Sequence, residues 1–247
     1  MAYIKGKFRP MALVFGVAGG IALIGSWFYP LTRAGWDTID QAWFFLANGS
    51  LAEGSAWQIV WALANFRGFD LIAALSMVAV FAYAAKQRDK DHVVSLAKGL
   101  LMALYTVLMV QCAHELFENI KRDSPTRILE PVYLLSELVP WAYPKDSSGT
   151  SFPGDHATVL LMVATFITYY FGKRYGLIAY AIAVIGVLPR IVGGAHWLTD
   201  VVVGGGGITL ITMTLVLATP LERKLFGLLF PFAGWCMAIF RKVRRKQ

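Results

Sequence analysis

Charged side chains are scarce in this sequence. Asp, Glu, Lys and Arg make up 15% of its 247 residues, against about a quarter in soluble domains, and apolar residues make up 57%. So few charges cannot cover a water-soluble core, which excludes an ordinary soluble domain and makes a bilayer the natural solvent. Acidic residues are scarcer than basic ones, 15 against 23, leaving a net charge of +8. In a soluble protein that balance would suggest nucleic acid. Here the cations fall at the ends of apolar runs and no basic face interleaved with aromatics stands out, so no nucleic acid is expected. Cysteine is nearly absent. Cys112 lies inside an apolar run and Cys236 in the C-terminal segment, so a disulfide framework is excluded and both read as small apolar side chains. The chain also lacks internal repeats and low-complexity segments.

Long apolar runs are what it has. Spanning a bilayer takes roughly 20 mostly apolar residues. The first run, Met11 to Pro30, follows Lys5, Lys7 and Arg9 as a signal peptide would. It is long, and no small-x-small cleavage site follows, so it reads as a retained helix. Residues 31–66 are mixed and rich in Trp and Phe, as expected of a segment near the headgroups. Further spans are expected at 68–85, 99–118, 156–171, 176–192 and 200–219. The expectation is an all-α integral membrane protein with six transmembrane helices and one domain over 1–247. The remainder, 220–247, reads as a basic interfacial tail. Its apolar stretch is interrupted by Pro231, and a seventh span would carry the RKVRRK cluster across the membrane. Sixteen of the 23 basic residues fall in the N-terminus, Lys86–Lys98, Lys173–Arg174 and the tail from Arg223. The positive-inside rule then makes the topology N-in/C-in, with the loops after spans one, three and five outside.

Those outer loops gather the chemistry. One runs KRDSPTR at 121–127 and PKDSSGTSFPGDHA at 144–157; another runs PRIVGGAHWLTD at 189–200. His196 and Asp200 are four apart, on one face of a helix. A carboxylate on one imidazole nitrogen would set the tautomer and free the other to attack. Gly193 and Gly194 would let Arg190 turn back toward the imidazole and offer a phosphate its fork. His156 follows Pro153, Gly154 and Asp155 at a helix start, a place suited to anions. There Asp155 would cap the helix and help keep His156 charged as the general acid. Lys121, Arg122 and Lys145 are either phosphate-gripping cations or solvated loop charges. His114, Glu115 and Glu118 read as a polar cluster under the loop, and Arg67 with Asp70 as a helix-end ion pair. A zinc site from His156, His196 and Asp200 uses admissible ligand types. The neighbouring cations favour an anion instead, so no metal is expected.

These stretches resemble the type 2 phosphatidic acid phosphatase (PAP2) superfamily. Its third signature, Arg, five residues, His, three residues and Asp, matches Arg190, His196 and Asp200. Its second, Pro-Ser-Gly-His, matches Pro153, Gly154, Asp155 and His156, with Ser and Gly replaced; Ser151 is the nearby stand-in for the lost hydroxyl. Pro189 stands where a Ser usually precedes the Arg. The first signature, Lys, six residues and Arg-Pro, departs most. Phe117 falls on the Lys and Ser124-Pro125 on the Arg-Pro, leaving Lys121, Arg122 and Lys145 as local substitutes.

SFPGDH, PRIVGGAHWLTD, KRDSPT and NFRGFD also resemble members that pass the terminal phosphoryl group of undecaprenyl diphosphate to the 1-phosphate of lipid A. The resemblance implies a PAP2-type bundle in a bacterial inner membrane with its site facing the periplasm. His196 would be the nucleophile, His156 the acid and base, and Asp200 the orienting group. Arg190 and the loop cations, with Gly154 and Asp155, would hold phosphate, and no cofactor is implied. Two rivals stay open: a hydrolase with water as acceptor, and a non-catalytic lipid-binding or transport protein. Crowding of charge at one face, rather than at the midplane, favours the enzyme.

Overall fold

The computed structural model describes residues 8–52 and 54–244. Its helices are α1 (Pro10–Phe28), α2 (Pro30–Gly49), α3 (Ser55–Ala64), α4 (Arg67–Arg88), α5 (His92–Phe117), α6 (Pro125–Ile128), α7 (Leu135–Leu138), α8 (Asp155–Phe171) and α9 (Lys173–Val192). A π-helical turn (Asp200–Gly205) runs into α10 (Gly206–Leu217), and α11 is Leu221–Arg244. No strand forms among the described residues.

Local chemistry sets the breaks. Pro10 and Pro30 open α1 and α2, where a missing N–H costs no helical bond. The Asp91 carboxylate caps α5 by accepting from Val93 N at 2.8 Å. Gly172, at φ 95°, separates α8 from α9 with a backbone that other residues rarely adopt.

Span three was expected to begin at residue 99. It begins two turns earlier because Lys98 does not interrupt it: Asp89 neutralises the buried ammonium at 2.5 Å. Pro30, expected inside the first span, instead starts α2.

Six helices are long and apolar enough to cross a membrane, which makes the protein a multi-pass membrane protein. The number is the one expected, but the set differs. It includes Leu221–Val243, expected to be interfacial tail, and omits the 17-residue α8, expected to be span four. At 1.5 Å per residue α8 is about 25 Å long. It is also the centre of the bundle: Met162, Ala164, Phe166 and Ile167 are fully buried, packed among α4, α5, α9 and α10. The contacts of α11 lie at the end of the bundle where α5 begins and α8 finishes. Tyr169 donates to Glu222 at 2.8 Å, and Gly234 sits against Val93.

Helices α1 and α10 approach through small residues. A Cβ on Gly16 would fall 2.2 Å from Thr214 Oγ1. One on Gly20 would fall 2.4 Å from Ile211 Cγ1 and 2.9 Å from the Gly207 carbonyl. Gly16 and Gly20 are one turn apart, the spacing that lets membrane helices touch backbone to backbone. Gly20→Val is therefore expected to destabilise the protein by about 1–3 kcal/mol. Gly25→Ala, where nothing lies within 4 Å, should leave stability unchanged. Thermal unfolding in detergent compares the two, and equal melting temperatures would contradict the packing.

Candidate active site

The signature residues collect at the end of the bundle opposite α11's contacts, where α5 and α9 finish and α4 and α8 begin. The widened turn at Asp200–Gly205 folds its first carboxylate back on its own approach: Asp200 Oδ2 accepts from Trp197 N at 2.8 Å. Asp200 Oδ1 pairs with Arg122 at 2.5 Å, and Arg122 also reaches Asp40 on α2 at 2.6 Å and Thr199 Oγ1 at 2.9 Å. Asp40 accepts from Thr199 N at 2.9 Å as well. Asp40 and Asp200 are excluded from water. Burial raises the Asp40 pKa above the ordinary carboxylate range, against the opposing pull of Thr199 and Arg122. The guanidinium also lies 5.0 Å from the ring centroids of Trp27 and Trp197.

His196 sits over this cluster. Its Nδ1 is 2.8 Å from the carbonyl oxygen of Ser151 and 3.5 Å from Asp200 Oδ2. A carbonyl can only accept, so Nδ1 carries the proton and Nε2 keeps its lone pair. The orienting acceptor is thus a backbone oxygen, where the sequence suggested Asp200. The Asp200 carboxylate is taken up by Arg122 and Trp197 N and acts on the ring from further away. The Gly193–Gly194 turn does form, with Gly194 at φ 78°, and His196 N and Ala195 N both bond to Arg190 O.

His156 Nε2 lies 3.0 Å from Asp70 Oδ2, and the same carboxylate oxygen accepts from Arg190 Nη2 at 2.7 Å. Arg190 Nη1 donates to both the carbonyl and the side-chain oxygen of Asn65, at 3.0 and 2.9 Å. Asn65 in turn donates to Pro189 O at 2.8 Å. Arg190 therefore holds Asp70 and the start of α4, and does not reach the His196 ring as expected. Asp70, expected to pair with Arg67, belongs to this site. Asp155 was expected to cap α8 and to support His156. Instead it lies inside the first turn, makes no cap, and pairs with His114 Nδ1 at 3.4 Å.

A cavity of about 300 Å³ joins these groups, lined by His196, His156, His114, Lys145, Glu118 and Phe152 among others. Of the three loop cations singled out, Lys145 lines it. Lys121 is exposed and does not, and Arg122 is held by its two carboxylates. Burial, then the charges of Arg190 and Arg67, hold the Lys145 pKa below the ordinary lysine range, against Asp70 and Asp155. Gly154 gives its N–H to Asp200 O at 3.0 Å, and a Cβ there would fall 3.1 Å from that carbonyl oxygen, so the backbone contact fills the space. Ser151, the suggested stand-in hydroxyl, has a buried Oγ without a hydrogen-bond partner and acts through its carbonyl. Among the described residues no three His, Cys, Asp or Glu side chains gather as a metal site.

Along 221 residues, 89% of this chain and 92% of the relative, the sequence is 38% identical to the lipid A 1-diphosphate synthase of Escherichia coli (strain K12). The chain belongs to the PAP2 superfamily. The model of that superfamily matches residues 129–224. This region contains His156, Arg190, His196 and Asp200 and begins downstream of the altered first signature. No solved structure matches the chain. Membership and the likeness to a named synthase make this a membrane-embedded, lipid-processing enzyme of the PAP2 superfamily.

Four partners escaped sequence reasoning: Asp40, Asn65, Asp70 and the Ser151 carbonyl. Asp70 carried a usable signal, as a carboxylate in the first turn of an apolar span. Asp40 did too, as a carboxylate three residues before the Trp43–Phe44–Phe45 run of α2. If Arg122 is a buried tie and not a phosphate ligand, Arg122→Gln should cost about 3–5 kcal/mol by stranding two carboxylates. Detergent unfolding reads that loss. A stable variant with a raised donor KM would return Arg122 to phosphate binding.

Proposed function

We propose that this enzyme moves the terminal phosphoryl group of undecaprenyl diphosphate to the 1-phosphate of lipid A, through a phosphohistidine on His196. The observation that carries the reading is an imidazole with Nδ1 committed to a carbonyl and Nε2 left free, lining a cavity shared with His156 and Lys145. The donor and the acceptor follow from the family resemblance, and the acceptor also from the name of the Escherichia coli relative.

His196 Nε2 attacks the terminal phosphorus in line, and the bond to the bridging oxygen breaks. Undecaprenyl phosphate leaves with a proton from His156. Asp70 accepts from His156 Nε2, so Nδ1 is the nitrogen presented to the substrate. A phosphate oxygen of lipid A then attacks the phosphohistidine, the P–N bond breaks, and His156 recovers any proton the acceptor carried. Lys145 offsets charge on the transferring group, and positioning with charge stabilisation does most of the work. Arg190 contributes by anchoring Asp70 and thereby His156. Arg122 and Asp200 keep the turn under His196 in place.

In this reading the site faces the periplasm of a bacterial inner membrane. Six spans (α1, α4, α5, α8, α9 and the Asp200–Leu217 stretch) cross it within one domain. Helix α11 lies on the cytoplasmic surface. The lysines and arginines at the start of α1, between α4 and α5, between α8 and α9 and at the start of α11 support that orientation, because those helix ends lie opposite the site. The contacts of α11 with Tyr169 and Val93 at that same end support its surface placement. A donor site at the headgroup plane admits a lipid sideways with its tails still in hydrocarbon.

Purified protein given donor labelled in its terminal phosphate should move the label to lipid A when lipid A is present. Free phosphate released at one rate with or without lipid A, with no label on lipid A, would make the enzyme a hydrolase.

A further inference from the structure

A second cavity adjoins the first. It has a volume of about 530 Å³ and is lined by Arg67, Ser136, Tyr143, Lys145, Asp146 and Ser147 among others. Lys145 lines both cavities. Among the described residues neither Arg67 nor Lys145 has a carboxylate partner. Asp70, the near carboxylate on the same helix as Arg67, is occupied by Arg190 and His156. Asp146 Oδ2 is turned onto a backbone donor, Ser136 N, at 2.7 Å. The two cations are close enough for Arg67 to depress the Lys145 ammonium. Arg67 also begins α4, where the helix dipole disfavours a cation. Nothing in the folding of α4 therefore requires Arg67. Two like charges held over one polar cavity, with neither ion-paired among the described residues and the Asp146 carboxylate turned onto Ser136 N, make a site for an external anion.

We propose that the Arg67–Lys145 cavity is a second phosphate site, which holds the phosphomonoester of the acceptor lipid beside the phosphoryl group on His196. This rests on the transfer reading above. Moving a phosphoryl group onto another phosphate brings two anions together, and the repulsion must be offset at the point where they meet. Lys145 stands at that point, shared by both cavities. Arg67 supplies the outer grip, and Ser136 and Ser147 supply hydroxyls. Water as an acceptor would need no such site. Arg67 does not line the cavity that holds His196 and His156, so its larger effect falls on the acceptor.

The test separates the half-reactions. The enzyme is loaded with label from undecaprenyl diphosphate and then chased with increasing lipid A. Arg67→Ala should leave the loading rate unchanged and raise the half-saturating lipid A concentration by about tenfold or more, the effect of losing a charged hydrogen bond. Arg67→Lys should recover most of that loss. An unchanged lipid A dependence, or a loading defect equal to the transfer defect, overturns the proposal. Equilibrium binding of lipid A to unloaded wild-type and Arg67→Ala protein in detergent gives an answer that does not depend on turnover. Equal affinities overturn the acceptor site, whereas failure of the wild type to acquire label overturns the transfer reading instead. Inorganic phosphate in the same binding assay distinguishes the sources. If it binds through Arg67 while lipid A does not, the cavity is a free-phosphate site and the acceptor assignment falls.

Discussion

Arg122 bridges Asp40 on α2 and Asp200 on the turn that opens α10, with both carboxylates excluded from water. Thr199 belongs to the same knot, and the indoles of Trp27 and Trp197 flank the guanidinium. A buried guanidinium with two carboxylates holds its place only while all three are present, because any one removed leaves a charge without a partner. The knot therefore fixes the His196 segment relative to α2.

A second tie sits beside it. Asp70 joins Arg190 to His156, and Asn65 joins Arg190 to the backbone on both sides, at Pro189 O and at its own carbonyl. Arg122 and Arg190 each hold carboxylates, and Asp70, held by Arg190, in turn meets His156. The cleft itself carries imidazoles and one lysine whose ammonium is destabilised by burial and by neighbouring cations. Such a lysine gains from an arriving phosphate, because the anion relieves the repulsion that the empty arrangement leaves.

Much of this was legible in the sequence. Apolar run lengths located five of the six candidate spans, and the spacing of Arg190, His196 and Asp200 marked three residues that the structure brings to one end of the bundle. The terminal stretch was harder. Residues 221–243 have the length and hydropathy of a span, and only their contacts show them at the end of the bundle opposite the site. The partners within the site were harder still, because hydrogen bonds join residues more than 100 positions apart, as with Asn65 and Arg190. Asp200 looked like the orienter of His196 because an i, i+4 pair shares a helix face. Asp200 Oδ2 does lie 3.5 Å from Nδ1, but Arg122 and Trp197 N share that carboxylate, and a backbone carbonyl, invisible in any residue pattern, is the nearer acceptor at 2.8 Å. Asp155 likewise looked like a cap, yet it falls inside the first turn of α8 and meets His114.

The central claim is that Ser151 O holds the proton on Nδ1 and leaves Nε2 of His196 as the attacking atom. Phosphoenzyme trapped from labelled donor and analysed by phosphorus NMR and peptide mapping tests it most directly. The account predicts one labelled residue, His196, phosphorylated on Nε2. Phosphate on Nδ1, or on His156 in place of His196, would contradict it.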